Sequence, residues 1–258
     1  MKNLTRIPDL HGQVVLITGA SSGIGAALAE SFADQGAKIG LHYHTGASSA
    51  QTIARNIQEK GGEVFLIQGD VSSGEQVLRI VSSTAEHFGR IDGLINNAGH
   101  LLGRENYAVI SEEKYDAVMD LNCRSVIVAS KAAYPWLKKQ GGFIINTTSL
   151  AGRNGGSIGA GLYGSAKAFV SNVTRGMAKE FIADGIRVNA VSPGVIMTPF
   201  HEKYSTPEQL AQMVSNIPLG RLGIAEDCIG AYLFLASKIM SGYIIGQTIE
   251  VNGGILMQ

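Results

Sequence analysis

Residues 14–33, VVLITGASSGIGAALAESFA, read as a strand, a glycine turn and a helix in direct succession. The opening run is continuously apolar, as a parallel strand covered on both faces requires. In the turn, Gly19, Gly23 and Gly25 follow a Gly-x-x-x-Gly-x-Gly spacing. Each has a physical task if a pyrophosphate is to approach bare backbone: Gly19 lets the chain turn, Gly23 keeps side chains away, and Gly25 allows the helix to pack closely on the strand. Glycine spacing alone is weak evidence, but with a strand before it and a helix after it the segment points to nucleotide binding over a plain strand-turn-helix. Ser21, Ser22 and Ile24 belong to the same turn and are expected to contact the cofactor with the three glycines.

Outward from this segment, short β-rich runs alternate with longer helical ones. Strands are expected at residues 13–19, 37–43, 63–70, 91–99, 141–149, 186–194 and 248–254, most of them continuously apolar. The spacing predicts one long helix over residues 111–139, with Ser111 as N-cap, Glu112 and Glu113 in the first turn and Lys138 and Lys139 in the last, matching the helix dipole at both ends. No proline-rich or charged linker interrupts the alternation and no short repeat is present. The expected fold is therefore α/β: a single doubly wound Rossmann domain over residues 1–258, a seven-stranded parallel sheet with helices on both faces. Residues 198–224 depart from the alternation, carrying three prolines among mixed polar and apolar residues. They are expected to form a substrate lid.

Composition narrows the partners. The chain has 258 residues, 45% of them hydrophobic, enough for a substantial core. Lys plus Arg and Asp plus Glu are balanced at 21 each, so no overall field favours nucleic acid or an anionic membrane. A small-molecule substrate is expected instead. There are 2 cysteines, no signal-peptide pattern and no apolar stretch near the roughly 18 residues of a membrane span, which fits a cytoplasmic setting. No His, Cys, Asp or Glu cluster has metal-ligand spacing, so no metal is expected. Cys123 and Cys228 read as packing thiols.

Further along, Tyr163 and Lys167 in GAGLYGSAKAF lie four residues apart, on one face of a helix. A nearby ammonium stabilises a phenolate and lowers the tyrosine pKa from about 10, so Tyr163 could exchange a proton with an alcohol or alkoxide. Taken alone, the pair is more simply two residues flanking an alanine-rich helix. Ser149 ends the strand FIINTTS at the carboxyl edge of the sheet, where sites of open α/β folds form, and its hydroxyl could hold a carbonyl oxygen beside Tyr163. Asn122, in mid-helix, has a buried amide that needs partners.

TGASSGIG at 18–25, NNAG at 96–99, YGSAK at 163–167 and SPG at 192–194 stand in an order in which the sequence resembles the classical short-chain dehydrogenase/reductase family over nearly its whole length. The resemblance implies a catalytic tetrad of Asn122, Ser149, Tyr163 and Lys167, with Asn122 holding a water connected to the lysine. It implies adenine-side contacts from Asp70 and Val71, adenosine contacts from Asn97, Ala98 and Gly99, and nicotinamide contacts from Pro193, Gly194, Ile196 and Thr198. Tyr163 and Lys167 count among the cofactor contacts, Lys167 on the nicotinamide ribose. It also implies a homotetramer. One departure is the 14-residue interval from Ser149 to Tyr163, one more than in many relatives, which is expected to bulge within GRNGGSIGAG.

Which dinucleotide binds turns on the end of the second strand, where a carboxylate would accept bonds from a ribose diol and repel a 2′-phosphate. Between Asp34 and Glu59 there is no acid, and His42, His44, Thr45 and Ser48 are possible phosphate donors. NADP(H) is favoured and NAD(H) stays possible, because the arginine that often clamps the phosphate is missing and Ser22 stands before the second glycine.

For the substrate, the segment after Ser149 is glycine-rich and has no large apolar group for a steroid or long acyl chain. Arg104 and Arg153 near the mouth, with His201 and Lys203 on the lid, could join Ser149 and Tyr163 in binding a small acid. GAGLYGSAKAF, TPFHEK, IPLGRLG and SGYIIGQ are similar to segments of the reductases that act on the 4-deoxy-5-keto uronate released from alginate. That resemblance implies reduction of a keto-uronate. Reduction of 3-oxoacyl thioesters on acyl carrier protein and oxidation of glucose or polyols are the alternatives within the family. A nucleotide-binding regulator without turnover is the alternative outside it.

Overall fold

The computed structural model describes residues 6–257, excepting the side chains of residues 201–203. All seven expected strands form: β1 (Val14–Ile17), β2 (Lys38–Tyr43), β3 (Val64–Gln68), β4 (Gly93–Asn96), β5 (Phe143–Thr147), β6 (Arg187–Pro193) and β7 (Thr248–Val251). They make one parallel sheet in the order β3-β2-β1-β4-β5-β6-β7, with Leu16 opposite Gly40 on one side and Leu94 on the other. The order reverses between β1 and β4, the switch point at which open α/β sheets leave a crevice at their carboxyl ends.

The continuous apolar runs are explained by cover on both faces. On one face α1 (Gly23–Asp34), α2 (Ala47–Glu59) and α10 (Ala225–Ala236) bury Leu28, Phe32, Ile53, Ile57 and Tyr232 against Val15, Ile17 and Ile39. On the other, α3 (Gly74–Phe88), α5 (Ser125–Gln140) and α7 (Gly161–Phe181) bury Val77, Ile80, Ala133 and Met177 against Leu16, Leu94 and Ile144. A buried polar layer ties the middle of the sheet to its helices: Asn96 donates to Asn146 at 2.8 Å and Ser130 at 3.2 Å, and Asn146 donates to Thr174 at 2.9 Å.

The helix expected over residues 111–139 needs correction. Ser111 does cap its start, its Oγ accepting from Lys114 N at 3.2 Å, and Gly141 ends it in the left-handed region at φ 63°. Between α4 (Glu112–Met119) and α5, however, Asp120–Arg124 widen into a π turn. The extra residue per turn shifts the register and turns both Asn122 and Cys123 inward, where both are buried. Apolar spacing does not register a single wide turn inside an otherwise continuous helix.

The 198–224 segment carries α8 (Pro199–Tyr204) and α9 (Pro207–Ser215), the latter opened by a capping box of Thr206 and Gln209. The Ser149 to Tyr163 interval is taken up by one helical turn, α6 (Ala151–Asn154), and by a loop in which Gly155, Gly156 and Gly159 have positive φ. A last short helix, α11 (Lys238–Ser241), precedes β7. Among the described residues no helix is long and apolar enough to cross a membrane.

Candidate active site

A cleft of about 690 Å³ runs along the carboxyl ends of the strands, from the glycine turn after β1 to the loop before α7. Its dinucleotide end is shaped by backbone. Gly19 and Gly23 have φ of 65° and 54°, and a Cβ on Gly25 would lie 2.2 Å from the Gly19 carbonyl oxygen. The N-cap of α1, Ser22, makes no side-chain cap and the first turn holds no acid, so the amide groups there stay available to an anion. Thr18 fastens the turn to the end of β4: its Oγ1 accepts from Asn97 N and Ala98 N, both at 3.0 Å, while Asn97 Nδ2 donates to the Thr18 and Gly19 carbonyls, both at 3.0 Å. A glycine cradle with an uncapped helix start fits a pyrophosphate.

All but one of the residues expected to contact the cofactor line this cleft: Gly19, Ser21, Ser22, Gly23, Ile24, Gly25, His42, His44, Thr45, Asp70, Val71, Asn97, Ala98, Gly99, Tyr163, Lys167, Pro193, Gly194, Ile196 and Thr198; Ser48, in the first turn of α2, does not. The role assigned to His42 changes. Its ring is buried, with Nδ1 accepting from Gly19 N at 3.0 Å and Nε2 bonded to the Gly69 carbonyl at 3.0 Å. Both nitrogens are engaged by main chain, so His42 braces the glycine turn from below and offers no donor to a phosphate. His44 and Thr45 remain exposed at the rim.

Burial pushes the His42 pKa from 6.5 to about 4. The unfolded chain therefore takes up a proton that the folded protein refuses, and the neutral brace stabilises fully above pH 6.5 and less as pH falls toward 4. From this group we expect a loss of up to about 1.4 kcal/mol per pH unit in that window. Urea midpoints of the wild type and His42→Gln should lie further apart near neutrality than in mild acid. A separation independent of pH would contradict this account.

At the middle of the cleft, Tyr163 and Ser149 line the same wall, and Lys167 lies beneath with Nζ 5.7 Å from the tyrosine ring centre. Lys167 is buried and donates to the Thr147 carbonyl at 2.8 Å. Asn122 Oδ1 accepts from His100 N at 3.1 Å, and Nδ2 donates to the carbonyls of Val118 at 2.9 Å and His100 at 3.0 Å. The amide thus anchors the loop after β4 to the π turn. A Cβ on Gly99 would come within 2.8 Å of Asn122 Oδ1 and 2.9 Å of Lys167 Nζ, so glycine is what lets the amide and the ammonium share one corner.

The expected lowering of the Tyr163 pKa is reversed. Burial pushes the phenol up to about 12, against the opposing influence of Ser149, and pushes Lys167 down to about 8, against the raising influence of Cys123. Desolvation is the larger effect at both groups. Near neutrality Tyr163 therefore carries its proton and is a donor, while Lys167 titrates close enough to neutrality to pass a proton on.

The substrate-side expectations divide. Ser149, Tyr163 and Arg104 line the cleft. Arg153 does not: the single turn of α6 carries it to Glu250 on β7, at 3.7 Å, away from the mouth. The side chains of His201 and Lys203 lie outside the described residues. Two of the cleft residues that escaped the sequence reading stand close to the tetrad. His100 follows NNAG directly, and its ring lies 5.8 Å from that of Phe200 and 5.0 Å from that of Tyr204. Phe200, from TPFHEK, packs 5.8 Å from the Tyr163 ring and brings α8 over the tetrad. Position after a recognisable motif was the available signal for His100. Among the described residues, no group of three or more His, Cys, Asp or Glu could hold a metal ion.

Residues 19–256 match the family model described as enoyl-(acyl carrier protein) reductase. The chain is 39% identical over 250 residues to the 3-oxoacyl-[acyl-carrier-protein] reductase of Synechocystis sp., covering 96% of this chain and 98% of that one. It is 36% identical over 244 residues to the 3-oxoacyl-[acyl-carrier-protein] reductase of Staphylococcus aureus, covering 94% and 97%. Among solved structures, the NADH-dependent reductase A1-R' responsible for alginate metabolism superposes with a TM-score of 0.90 at 39% identity, over 97% of this chain and 100% of that one. A short-chain dehydrogenase from Burkholderia cenocepacia in complex with NADP superposes with a TM-score of 0.90 at 31% identity, over 97% and 99%.

Proposed function

The chain belongs to the short-chain dehydrogenase/reductase family, and on that premise we propose that it reduces the carbonyl group of a compact polar substrate, foremost a keto-uronate sugar acid, with NADPH as the favoured reductant. It is an oxidoreductase that uses a nicotinamide dinucleotide. The observation that carries the reductive reading is that Ser149, Tyr163 and Lys167 stand together at the middle of the cleft, with the Lys167 ammonium 5.7 Å from the centre of a phenol that burial keeps protonated.

When bound, the dinucleotide supplies hydride to the carbonyl carbon. Ser149 then holds the carbonyl oxygen, and Tyr163 gives its proton to that oxygen as negative charge develops there. Lys167 restores the phenolic proton and would hold the nicotinamide ribose. The amides at the start of α1 would carry the pyrophosphate, Pro193, Gly194, Ile196 and Thr198 would hold the nicotinamide end, and Asp70, Val71, Asn97 and Ala98 would hold the adenosine.

NADPH preference is supported by the end of β2, where His44 and Thr45 are exposed, no carboxylate stands, and the N-cap of α2, Gly46, leaves the helix start without a side-chain cap. NADH is the alternative, because A1-R' is NADH-dependent. The sugar-acid reading is supported by the likeness to A1-R' and by the small polar wall of Asn154, Gly156 and Ser157. Reduction of 3-oxoacyl thioesters is the second reading, supported by the two 3-oxoacyl reductases. We extend the proposal to a cytoplasmic homotetramer with residues 198–224 as lid, assembly being supported by the exposed apolar side chains Ile239, Met240 and Tyr243.

Steady-state rates with NADPH and with NADH, on the keto-uronate and on an acetoacetyl thioester, test both choices. The expected result is a higher kcat/KM for the keto-uronate and for NADPH. A clear preference for the thioester removes the sugar-acid reading, and a clear preference for NADH removes the cofactor reading.

A further inference from the structure

The loop after β4 has an unusual backbone. Leu102 has φ 58°, the one non-glycine residue with positive φ among those described, and Gly103 follows at 105°. A bulky side chain adopts the left-handed region only when its surroundings impose it. Here the Leu102 N–H donates to His100 Nδ1 at 3.1 Å, and the Lys114 ammonium holds the Leu102 carbonyl. The constrained pair of residues delivers Arg104 to the substrate end of the cleft.

There the guanidinium makes bonds to two other segments. Nη1 donates to Ser157 Oγ at 2.8 Å and to the Ile158 carbonyl at 3.1 Å, both in the loop before α7. Nε donates to the Tyr204 carbonyl at 3.1 Å, at the end of α8. The neighbouring main chain follows the same course, Glu105 N donating to the Gly159 carbonyl at 2.9 Å. A Cβ on Gly159 would lie 3.0 Å from that of Arg104, so glycine permits the two loops to touch. Arg104, Ser157 and Phe200 all line the cleft. The arginine therefore joins three separate walls at the end away from the glycine turn.

We propose that Arg104 sets the substrate range of this enzyme: its guanidinium is a strut joining the loop after β4, the loop before α7 and helix α8 across the substrate end of the cleft, so that compact carbonyl compounds enter and long chains are excluded. The inference rests on the reductase reading and deepens it. It assigns Arg104 a role through the walls, as a specificity-determining and positioning residue, in place of the carboxylate contact expected from the sequence. A planar fork with donors in fixed directions can meet acceptors on two segments at once, and a lysine ammonium on a flexible stem cannot reproduce that geometry.

The test uses the full chain as wild type, Arg104→Ala, Arg104→Lys and Ser157→Ala, with NADPH and two N-acetylcysteamine thioesters, acetoacetyl and 3-oxo-octanoyl. In both arginine variants the kcat/KM of the longer thioester relative to the shorter should rise by about tenfold or more, with NADPH affinity within about twofold of wild type. Ser157→Ala, which removes one bond of the strut, should shift the ratio in the same direction by less. Amide hydrogen exchange at 157–159 and 204–206 should quicken in both arginine variants. If Arg104→Ala does not fold, Arg104→Lys and Ser157→Ala decide the matter. Folded, active variants with a ratio unchanged within about twofold would overturn the strut. Should the wild type reduce neither thioester nor the keto-uronate, the reductase reading fails by itself. Exchange then decides the strut: faster exchange supports it and unchanged exchange overturns it.

Discussion

Tyr163→Phe will lower turnover by about two to four orders of magnitude while NADPH affinity stays within about twofold of wild type. The substitution removes one oxygen and keeps the ring that packs 5.8 Å from Phe200, so the shape of the cleft is retained. What is lost is the proton donor. Burial holds this phenol up to about 12, which keeps it protonated near neutrality and makes it suited to protonating a new alkoxide. Ser149 is a poor substitute, because a serine hydroxyl is a far weaker acid. The measurement is single-turnover reduction alongside cofactor titration by fluorescence. Unaltered turnover in the variant would remove Tyr163 from the chemistry, and a parallel loss of cofactor affinity would make its role structural.

Gly25→Ala will cost about 1–3 kcal/mol of stability and abolish measurable dinucleotide binding. The added methyl carbon would stand 2.2 Å from the Gly19 carbonyl oxygen, 2.5 Å from Asn97 Nδ2 and 3.0 Å from the Ala20 Cα. Two of these three atoms are backbone, so no rotation of a flexible side chain relieves the clash. The turn must open, and with it goes the bond from Asn97 Nδ2 to the Gly19 carbonyl that ties β4 to the phosphate cradle. Gly176→Ala supplies the control. Gly176 lies within α7 with ordinary φ and nothing within 4 Å of an added Cβ. There alanine should stabilise by about 0.5–1 kcal/mol through its better helix propensity. Thermal unfolding of both variants, with and without NADPH, reads the contrast. Equal shifts in the two would sink the steric account of Gly25.

Phe200 and Arg104 show why some of the site lay beyond sequence reading. Phe200 stands in the segment expected to be a lid and Arg104 was expected as a cation near the mouth, yet each matters through a partner far along the chain: Phe200 through Tyr163, Arg104 through the Tyr204 carbonyl 100 residues away. Arg153 and Arg104 read alike as cations near the mouth. One turn of helix sends the first to Glu250 and away from the cleft, while a pair of left-handed residues sends the second into it. His42 has the composition of a phosphate donor and the position of a brace, because its two ring nitrogens were already claimed by main chain, Nδ1 accepting from Gly19 N and Nε2 facing the Gly69 carbonyl.

The amino-acid sequence by itself determined the seven-stranded parallel sheet, the glycine turn at its switch point and the alignment of the motif residues along one edge. These follow from local rules, since apolar runs, glycine spacing and the four-residue period of a helix act within a few residues of one another. Only the tertiary structure decided the direction of Arg153, the neutral buried state of His42, the π turn that turns Asn122 inward and the protonated state of Tyr163. Each depends on how much water and which distant acceptors surround a group after folding, and desolvation by remote segments leaves no mark on the residues that neighbour it in the chain.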